Sequence, residues 1–214
     1  MIPLRSAGRV VEAGCGTGLI LGEVASLTEA SVAGIDHDPS LLAEAARRCP
    51  AGVDLVEADA LESSPPRADI YLFHHFLLHS ADLPRFLVRV REALPGCGRG
   101  IATVLAEYDW TCASAAPPGP FPNLFRRSLA ALGLHLRSRA EVEASFESAG
   151  FRRVASGCEP GIPSRPDEWF VESQAALLEE KGDPHGADAL RAGSDVLMVV
   201  PLMWSVWRTP VGGR

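Results

Sequence analysis

The sequence lacks an excess of positive charge, a paired cysteine spacing and an apolar run long enough to cross a membrane. The net charge is −7, which argues against nucleic acid as the main partner, because phosphate binding needs clustered Lys and Arg. The five cysteines show no C-x-x-C spacing, so we expect reduced thiols in a cytoplasmic protein, without a zinc site or disulfide framework. The most apolar tail, Val196 to Trp207, is too short for a bilayer and contains Pro201. The N-terminus lacks the apolar core of a secretory signal.

Apolar runs alternate with helix-like segments along the first half of the chain. The strands are predicted near 9–13, 31–36, 53–57, 69–74 and 100–106, and the helices near 18–28, 39–48 and 81–94. This alternation predicts an α/β fold with a mainly parallel sheet and helices on both faces. The later part is predicted to add helices near 122–134, 139–149, 167–181 and 185–192, and strands near 151–158 and 195–208.

Proline and glycine positions set two further expectations, and chain length sets a third. Pro201 predicts that the last strand is an edge strand or a bulged one. The Pro- and Gly-rich run 115–120 is predicted as a loop rather than a linker between domains. With 214 residues, a single domain spanning 1–214 is the natural expectation.

The segment from Val10 to Gly18 is the most informative part of the chain. An apolar run ends at Glu12, and a glycine loop with Gly14, Gly16 and Gly18 leads into a helix-like segment. This order predicts a strand, a tight turn and a helix N-terminus, where α/β folds hold small ligands. Leu19 stands where a dinucleotide fingerprint needs its third glycine. By itself the loop also fits a tight turn in any α/β protein.

Two further acidic residues follow predicted strands. Asp36 ends the second strand, 22 positions after Gly14, close to the spacing of about 20 residues at which such folds place a ribose-binding acid. Asp59 follows the third strand. Neighbouring parallel strands open on the same crevice, so we expect these acids beside the glycine loop. Asp36 and Asp38 have the right chemistry for metal ligands, but Asp38-Pro39-Ser40 predicts a helix start instead, and no metal is expected.

At this point the chain resembles the class I S-adenosylmethionine-dependent methyltransferases, and most closely their small-molecule branch. The matching elements are the glycine loop with its acid, Gly34-Ile35-Asp36, Glu57-Ala58-Asp59-Ala60, Asp69-Ile70-Tyr71-Leu72 running into His79, and Arg91 to Gly96 before Ile101 to Val104. They cover roughly residues 9 to 106 in order. The resemblance implies a doubly wound, mainly parallel seven-stranded sheet, with helical insertions at 107–135 and 160–193 over its C-terminal strand edge.

The resemblance also implies which residues bind S-adenosyl-L-methionine. The loop would surround the methionyl part, Asp36 would accept from the ribose hydroxyls, and His37 would pack on the adenine. Asp59 and the Ala60 backbone would meet the adenine amino group, and the backbone near Phe73 and His74 would meet the cofactor's amino group. The complete predicted set is Glu12, Gly14, Cys15, Gly16, Gly18, Asp36, His37, Asp59, Ala60, Phe73 and His74.

The end of the fourth strand bears on the methyl acceptor. Phe73-His74-His75-Phe76 stands where enzymes that methylate planar amino groups carry Asn/Asp-Pro-Pro-Tyr. This difference favours O- or C-methylation of a small, fairly apolar metabolite, such as an intermediate of natural-product biosynthesis. A phenol or acidic carbon needs a base, and His75, then His74, are the candidates; the alternative for each is a non-catalytic histidine. Candidate substrate contacts are His79, Tyr108 and Trp110, while Phe73, Phe76, Tyr108, Trp110 and Phe121 could form an apolar wall or belong to the core.

Relatives place a helical segment before the first strand, over the cofactor, and here only eight residues precede that strand. We therefore expect 107–135 or 160–193 to cap the site, from the same chain or from its copy in a homodimer. Two other functions stay open. One is a protein of the same fold that binds the cofactor without methyl transfer, as a cyclase or partner subunit. The other is a nicotinamide oxidoreductase, which the missing third glycine disfavours.

Overall fold

The computed structural model describes residues 4–161, 164–193 and 195–211. The strands are β1 (Arg9–Ala13), β2 (Ser31–Asp36), β3 (Asp54–Glu57), β4 (Ile70–His74), β5 (Ile101–Tyr108), β6 (Ser114–Ala116), β7 (Arg152–Glu159), β8 (Leu197–Val199) and β9 (Leu202–Arg208). The helices are α1 (Leu19–Ser26), α2 (Pro39–Arg48), α3 (Leu83–Ala93), α4 (Phe121–Ala131), α5 (Arg139–Ser148), α6 (Glu168–Glu180) and α7 (Pro184–Ala192). Short 3₁₀ turns span Leu77–His79 and Trp110–Cys112. None of the described helices has both the length and the apolar run that a membrane crossing needs.

Seven strands form one sheet in the order β3-β2-β1-β4-β5-β9-β7. The five strands from β1 to β5 pair in parallel. Central strands of a parallel sheet are covered on both faces, which explains why β1, β2 and β4 are almost entirely buried and mostly apolar. The predicted doubly wound, mainly parallel seven-stranded sheet is confirmed.

The chain reverses its direction across the sheet between β1 and β4. It steps outward from β1 to β2 and β3, then returns to add β4 on the other side of β1 and β5 beyond it. Because such crossovers are right-handed, helices α1 and α2 lie on one face and α3 lies on the other. Ligands of open α/β sheets bind at the carboxyl ends of the strands beside this switch point.

The described residues form two compact units. The first comprises the chain up to Glu107, Val142–Gly157 and the part from Trp204 on, and the second comprises Tyr108–Glu141 and Cys158–Met203. The second unit has its own core, formed mainly by α4, α6 and α7 and closed by the antiparallel pair β6–β8. The predicted insertions fall largely in this second unit, and their role as a cap stays a prediction.

Two local predictions were wrong. The last predicted strand, 195–208, is divided at Pro201 into β8 and β9, which belong to different sheets, because proline cannot donate to a ladder. Strand β9 lies between β5 and β7 and is not an edge strand. In the run 115–120, Ala115 and Ala116 belong to strand β6 rather than to a loop. They form a strand because β8 offers them a backbone partner, a contact that local sequence does not reveal.

Candidate functional site

A cavity of about 370 Å³ lies in the first unit, at the predicted switch point. It is lined by residues that end or follow β1, β2, β3 and β4, together with Leu41 of α2. These residues are Gly14, Ile35, Asp36, His37, Leu41, Asp59, Ala60, Leu61, His75, Phe76 and His79. Six of the residues predicted to bind the cofactor or substrate therefore lie around one space: Gly14, Asp36, His37, Asp59, Ala60 and His79.

Asp36 holds the glycine loop against the end of β2. Its carboxylate accepts hydrogen bonds from the Gly16 N–H at 2.8 Å and from the Asp38 N–H at 3.0 Å. The side chain is buried except for the part that faces the cavity. Each carboxylate oxygen can accept more than one hydrogen bond, so Asp36 can still accept from a ligand hydroxyl. Asp38 itself caps α2 and accepts from the Ser40 N–H, as predicted from its place before Pro39.

The glycine loop is shaped by what packs against it. Gly14 has φ +69°, and a Cβ there would lie 2.3 Å from Cδ2 of Phe76. Gly18, at φ +74°, begins α1, and its Cβ would lie 2.9 Å from Cβ of Ala45 in α2. These two glycines therefore allow close packing of Phe76 and of α2, whereas the space beside Gly16 is open. Only Gly14 of the three lines the cavity.

Glu12 lies in β1, between β2 and β4, with 2% of its surface exposed. Its Oε2 atom has no hydrogen-bond partner among the described residues. Burial raises the pKa of this carboxyl from 4.5 to about 8, because desolvation disfavours the charged form. A buried carboxylate oxygen without a partner is costly, and a cationic group of a ligand would remove that cost. Glu12 is not among the residues that line the cavity, but Gly14, two residues further along the chain, is.

Five of the residues that line the cavity suit a nucleoside. The His37 side chain is 81% exposed, and its Nδ1 lies 3.6 Å from Oδ1 of Asp36. Asp59 follows β3 and accepts from the Leu61 N–H at 2.8 Å. Leu41, Ala60 and Leu61 add apolar surface. Apolar walls with a few polar groups are typical of small-molecule sites.

The histidines after β4 have different surroundings. His75 has φ +49°, and its Nδ1 lies 3.7 Å from Oε1 of Glu107, whose side chain is 4% exposed. The ring of His74 is 4.4 Å from that of His75. Burial lowers the pKa of His74, and the neighbouring His75 lowers it further. Burial also lowers the pKa of His79. Both histidines therefore stay neutral near pH 7 and could accept a proton.

Several predicted site residues lie away from this cavity. Cys15 is buried in the core, where a Cβ on Gly34 would lie 2.7 Å from its Sγ. Phe73 is fully buried, with its ring stacked on those of Tyr71 and Phe76. His74 is not among the lining residues described above. For Cys15 and Phe73 only the backbone could meet a cofactor, and the assignment of all three residues stays a prediction.

Tyr108 and Trp110 line a separate cavity of about 470 Å³ in the second unit. Their rings lie 5.7 Å apart, and Phe170, Met198, Val200 and Leu202 extend the apolar wall. Ser164, Arg165 and Asp167 add polar groups. Phe121 belongs to the core of this unit and is 3% exposed. Of the aromatic residues proposed as an apolar wall, Phe76 lines the first cavity and Tyr108 and Trp110 the second.

Sequence reasoning missed Glu107. It is a buried acid near the end of β5, and its Oε2 accepts from the Leu77 N–H at 3.1 Å. The available signal was its position after an apolar strand, the same signal that identified Asp36. Within the described ranges, no group of three or more His, Cys, Asp or Glu side chains is arranged to hold a metal ion.

Comparison with known families and sequences supports a particular chemistry. Residues 10–98 match a family described as a methyltransferase domain. Over 104 residues the chain is 38% identical to trans-aconitate 2-methyltransferase of Methylobacterium nodulans. This match covers 44% of the chain and only 38% of the relative.

Solved structures resemble nearly the whole chain. Phosphoethanolamine N-methyltransferase 2 of Haemonchus contortus, solved with phosphomonomethylethanolamine and S-adenosylhomocysteine, has a TM-score of 0.64 and 18% identity, over 98% of this chain and 50% of that one. The [4+2]-cyclase SpnF has a TM-score of 0.60 and 21% identity, over 98% of this chain and 77% of that one. At these identities the likeness shows the fold alone, and this fold hosts both methyl transfer and cyclisation.

Proposed function

We propose that the protein, whose residues 10–98 match a methyltransferase-domain family, is a class I S-adenosylmethionine-dependent methyltransferase that binds S-adenosyl-L-methionine at the switch point and methylates O or C of a small, fairly apolar metabolite. The observation that carries this proposal is Glu12, a buried carboxylate with an oxygen that lacks a partner among the described residues, at the end of the strand that leads into the glycine loop. A dinucleotide would bring a diphosphate to this position, and its negative charge could not pair with Glu12.

Each cofactor-binding residue has a role that its geometry supports. Glu12 lies at the methionyl end of the site and balances its positive charge. Asp36 accepts from the ribose hydroxyls, with its carboxylate already oriented by the Gly16 and Asp38 N–H groups. His37 packs on the adenine, and Asp59 and Ala60 lie at its amino edge. When bound, S-adenosyl-L-methionine supplies an electrophilic methyl group. The protein mainly holds the acceptor in line with it and excludes water.

We place the acceptor's apolar part against Tyr108 and Trp110. Their cavity is lined by aromatic and aliphatic side chains, which suits a planar or aliphatic metabolite better than a strongly charged one. In the first unit, His79 lines the cofactor cavity and is proposed as a substrate contact in its own right. The absence of Asn/Asp-Pro-Pro-Tyr after β4 supports O- or C-methylation. An intermediate of natural-product biosynthesis in the cytoplasm would fit both the apolar cavity and this type of methylation.

The test begins with binding. Isothermal titration calorimetry with S-adenosylmethionine, S-adenosylhomocysteine and NADH should show binding of the first two only. Methyl transfer is then followed as S-adenosylhomocysteine formation across phenols, enolisable ketones and carboxylic acids, with trans-aconitate included because of the relative's name. A carboxylic acid is already ionised at pH 7, so its methylation would need no base. Tight NADH binding without S-adenosylmethionine binding would refute the proposal.

A second candidate function is binding of the cofactor without methyl transfer. The likeness to a cyclase of the same fold favours including it. Cofactor binding without any S-adenosylhomocysteine formation across the acceptor panel would support a cyclase or a partner subunit. Light scattering on the same samples would show whether the protein is a homodimer.

A further inference from the structure

Glu107 is a buried acidic residue of the first unit that has no role in the proposed cofactor binding. It lies near the end of β5 and is 3% exposed. Its two oxygens face different elements: Oε2 accepts from the Leu77 N–H at 3.1 Å, and Oε1 lies 3.7 Å from Nδ1 of His75. The Leu77 N–H begins the 3₁₀ turn that follows β4. This contact fixes the position of the Glu107 carboxyl group.

The backbone of His75 is held in a conformation that side chains usually avoid. Its φ of +49° lies in the left-handed region, which is costly outside glycine and clusters at functional sites. The pairing of β4 with β5 shifts register at Phe73/His74, and the His75 N–H then donates to the Ala106 carbonyl at 2.9 Å. This backbone conformation brings the His75 imidazole beside Glu107, and His75 also lines the cofactor cavity.

Other titratable groups surround this pair. The His74 ring is 4.4 Å from His75, and burial lowers the pKa of His74. His79 also lines the cavity. Burial lowers the pKa of His79 and His37 lowers it further, whereas Glu107 and Asp36 raise it. Of these histidines, His75 is the one whose ring nitrogen lies within ion-pair distance of Glu107.

We propose that Glu107 is a positioning residue for His75, so that the two form a histidine–carboxylate dyad in which Nδ1 faces Glu107 and Nε2 faces the cavity. This inference rests on the proposed function. A carboxylate beside Nδ1 favours the tautomer with hydrogen on Nδ1 and leaves Nε2 free to accept a proton. The acceptor's hydroxyl proton passes to Nε2. The electron pair left on oxygen forms the bond to the methyl carbon, and the pair of the broken carbon–sulfur bond stays on sulfur.

The first measurement needs no activity. Long-range ¹H–¹⁵N NMR of the ligand-free protein at pH 8, with His75→Gln to assign the signal, should show His75 with hydrogen on Nδ1. In Glu107→Gln this preference should be lost, while His74 and His79 keep their tautomers. An Nε2–H tautomer of His75 in the unaltered protein would overturn the proposal, and that result does not depend on whether any variant folds.

Kinetics provide the second measurement. Glu107→Gln should lower kcat by about ten- to a hundred-fold, within the range of general-base effects, while KM for S-adenosylmethionine changes less than two-fold. Glu107→Asp, which keeps the charge, should recover part of the rate. The matched control is Glu92→Gln on the exposed side of α3, with unchanged kinetics. An equal loss of kcat and cofactor affinity would indicate a purely structural Glu107 and overturn the proposal. The expected tautomers without methyl transfer to any acceptor would instead refute the proposed function.

Discussion

Glu12→Gln should stabilise the ligand-free protein at alkaline pH while weakening cofactor binding. The folded protein holds the Glu12 carboxyl with a pKa of about 8, against 4.5 for an ordinary glutamate. Between these two values the folded state binds a proton that the unfolded state has released. Stability therefore falls as pH rises through this window. Glutamine keeps the shape of the side chain and removes the titration.

The size of the effect follows from the pKa difference. The Glu12 contribution lowers the free energy of unfolding by about 1 kcal/mol at pH 5 and about 4 kcal/mol at pH 8. Between pH 5 and pH 8 the free energy of unfolding should therefore fall by about 3 kcal/mol less in Glu12→Gln than in the unaltered protein. For a chain of this length that corresponds to a difference of roughly 6–12 °C in the change of Tm.

Urea unfolding followed by far-UV circular dichroism and tryptophan fluorescence at pH 5, 6.5 and 8 measures this difference. Comparing the pH slopes of the two proteins cancels the titration of all other groups. Glu23→Gln, an exposed substitution on α1, is the matched control and should keep the slope of the unaltered protein. Parallel pH slopes for Glu12→Gln and the unaltered protein would refute the argument.

The affinity for S-adenosylmethionine should rise with pH over the range in which stability falls. A cationic ligand favours the ionised carboxylate, so S-adenosylmethionine should release a proton from Glu12 near pH 7, and its affinity should rise as pH approaches 8. Calorimetry in buffers of different ionisation enthalpy counts this proton. Glu12→Gln should bind at least ten-fold more weakly and release no proton. Tighter binding by the variant would contradict the proposed contact with the cofactor's positive end.

Three further predictions follow from the same geometry. Gly14→Ala should lower the free energy of unfolding by about 2–4 kcal/mol, as measured from urea midpoints, since its Cβ would overlap Phe76 at a positive φ. Adding Phe76→Ala should recover part of this loss, and no recovery would argue against the overlap as its cause. Asp36→Asn should weaken S-adenosylmethionine binding by about ten- to a hundred-fold, the range for hydrogen bonds to a charged group; calorimetry within two-fold of the unaltered protein would exclude the ribose contact. Tyr108→Ala should raise KM for an apolar acceptor about ten-fold and leave cofactor affinity unchanged; an equal loss of both would argue against separate binding surfaces.

Local signals predicted most of the first unit. Strand β1, the glycine turn and α1 follow one another as expected, because apolar runs, glycines and helix formers act through neighbouring residues. The Asp38 cap of α2 was predicted for the same reason. Pro201 shows the limit of such signals: it was predicted to lie within a single edge or bulged strand, but it separates β8 from β9, and β9 pairs between β5 and β7.

The sequence by itself determined the order of strands and helices in the first unit, the glycine loop and the acids at successive strand ends, because turn propensity and hydrophobic pattern are local properties. Only the tertiary structure decided what these residues contact. It packed Phe76 on Gly14, left an oxygen of Glu12 without a partner among the described residues, and brought Glu107 beside His75 through the pairing of β4 with β5. Burial and long-range proximity depend on how elements pack, and they determine the pKa values and contacts from which function is proposed.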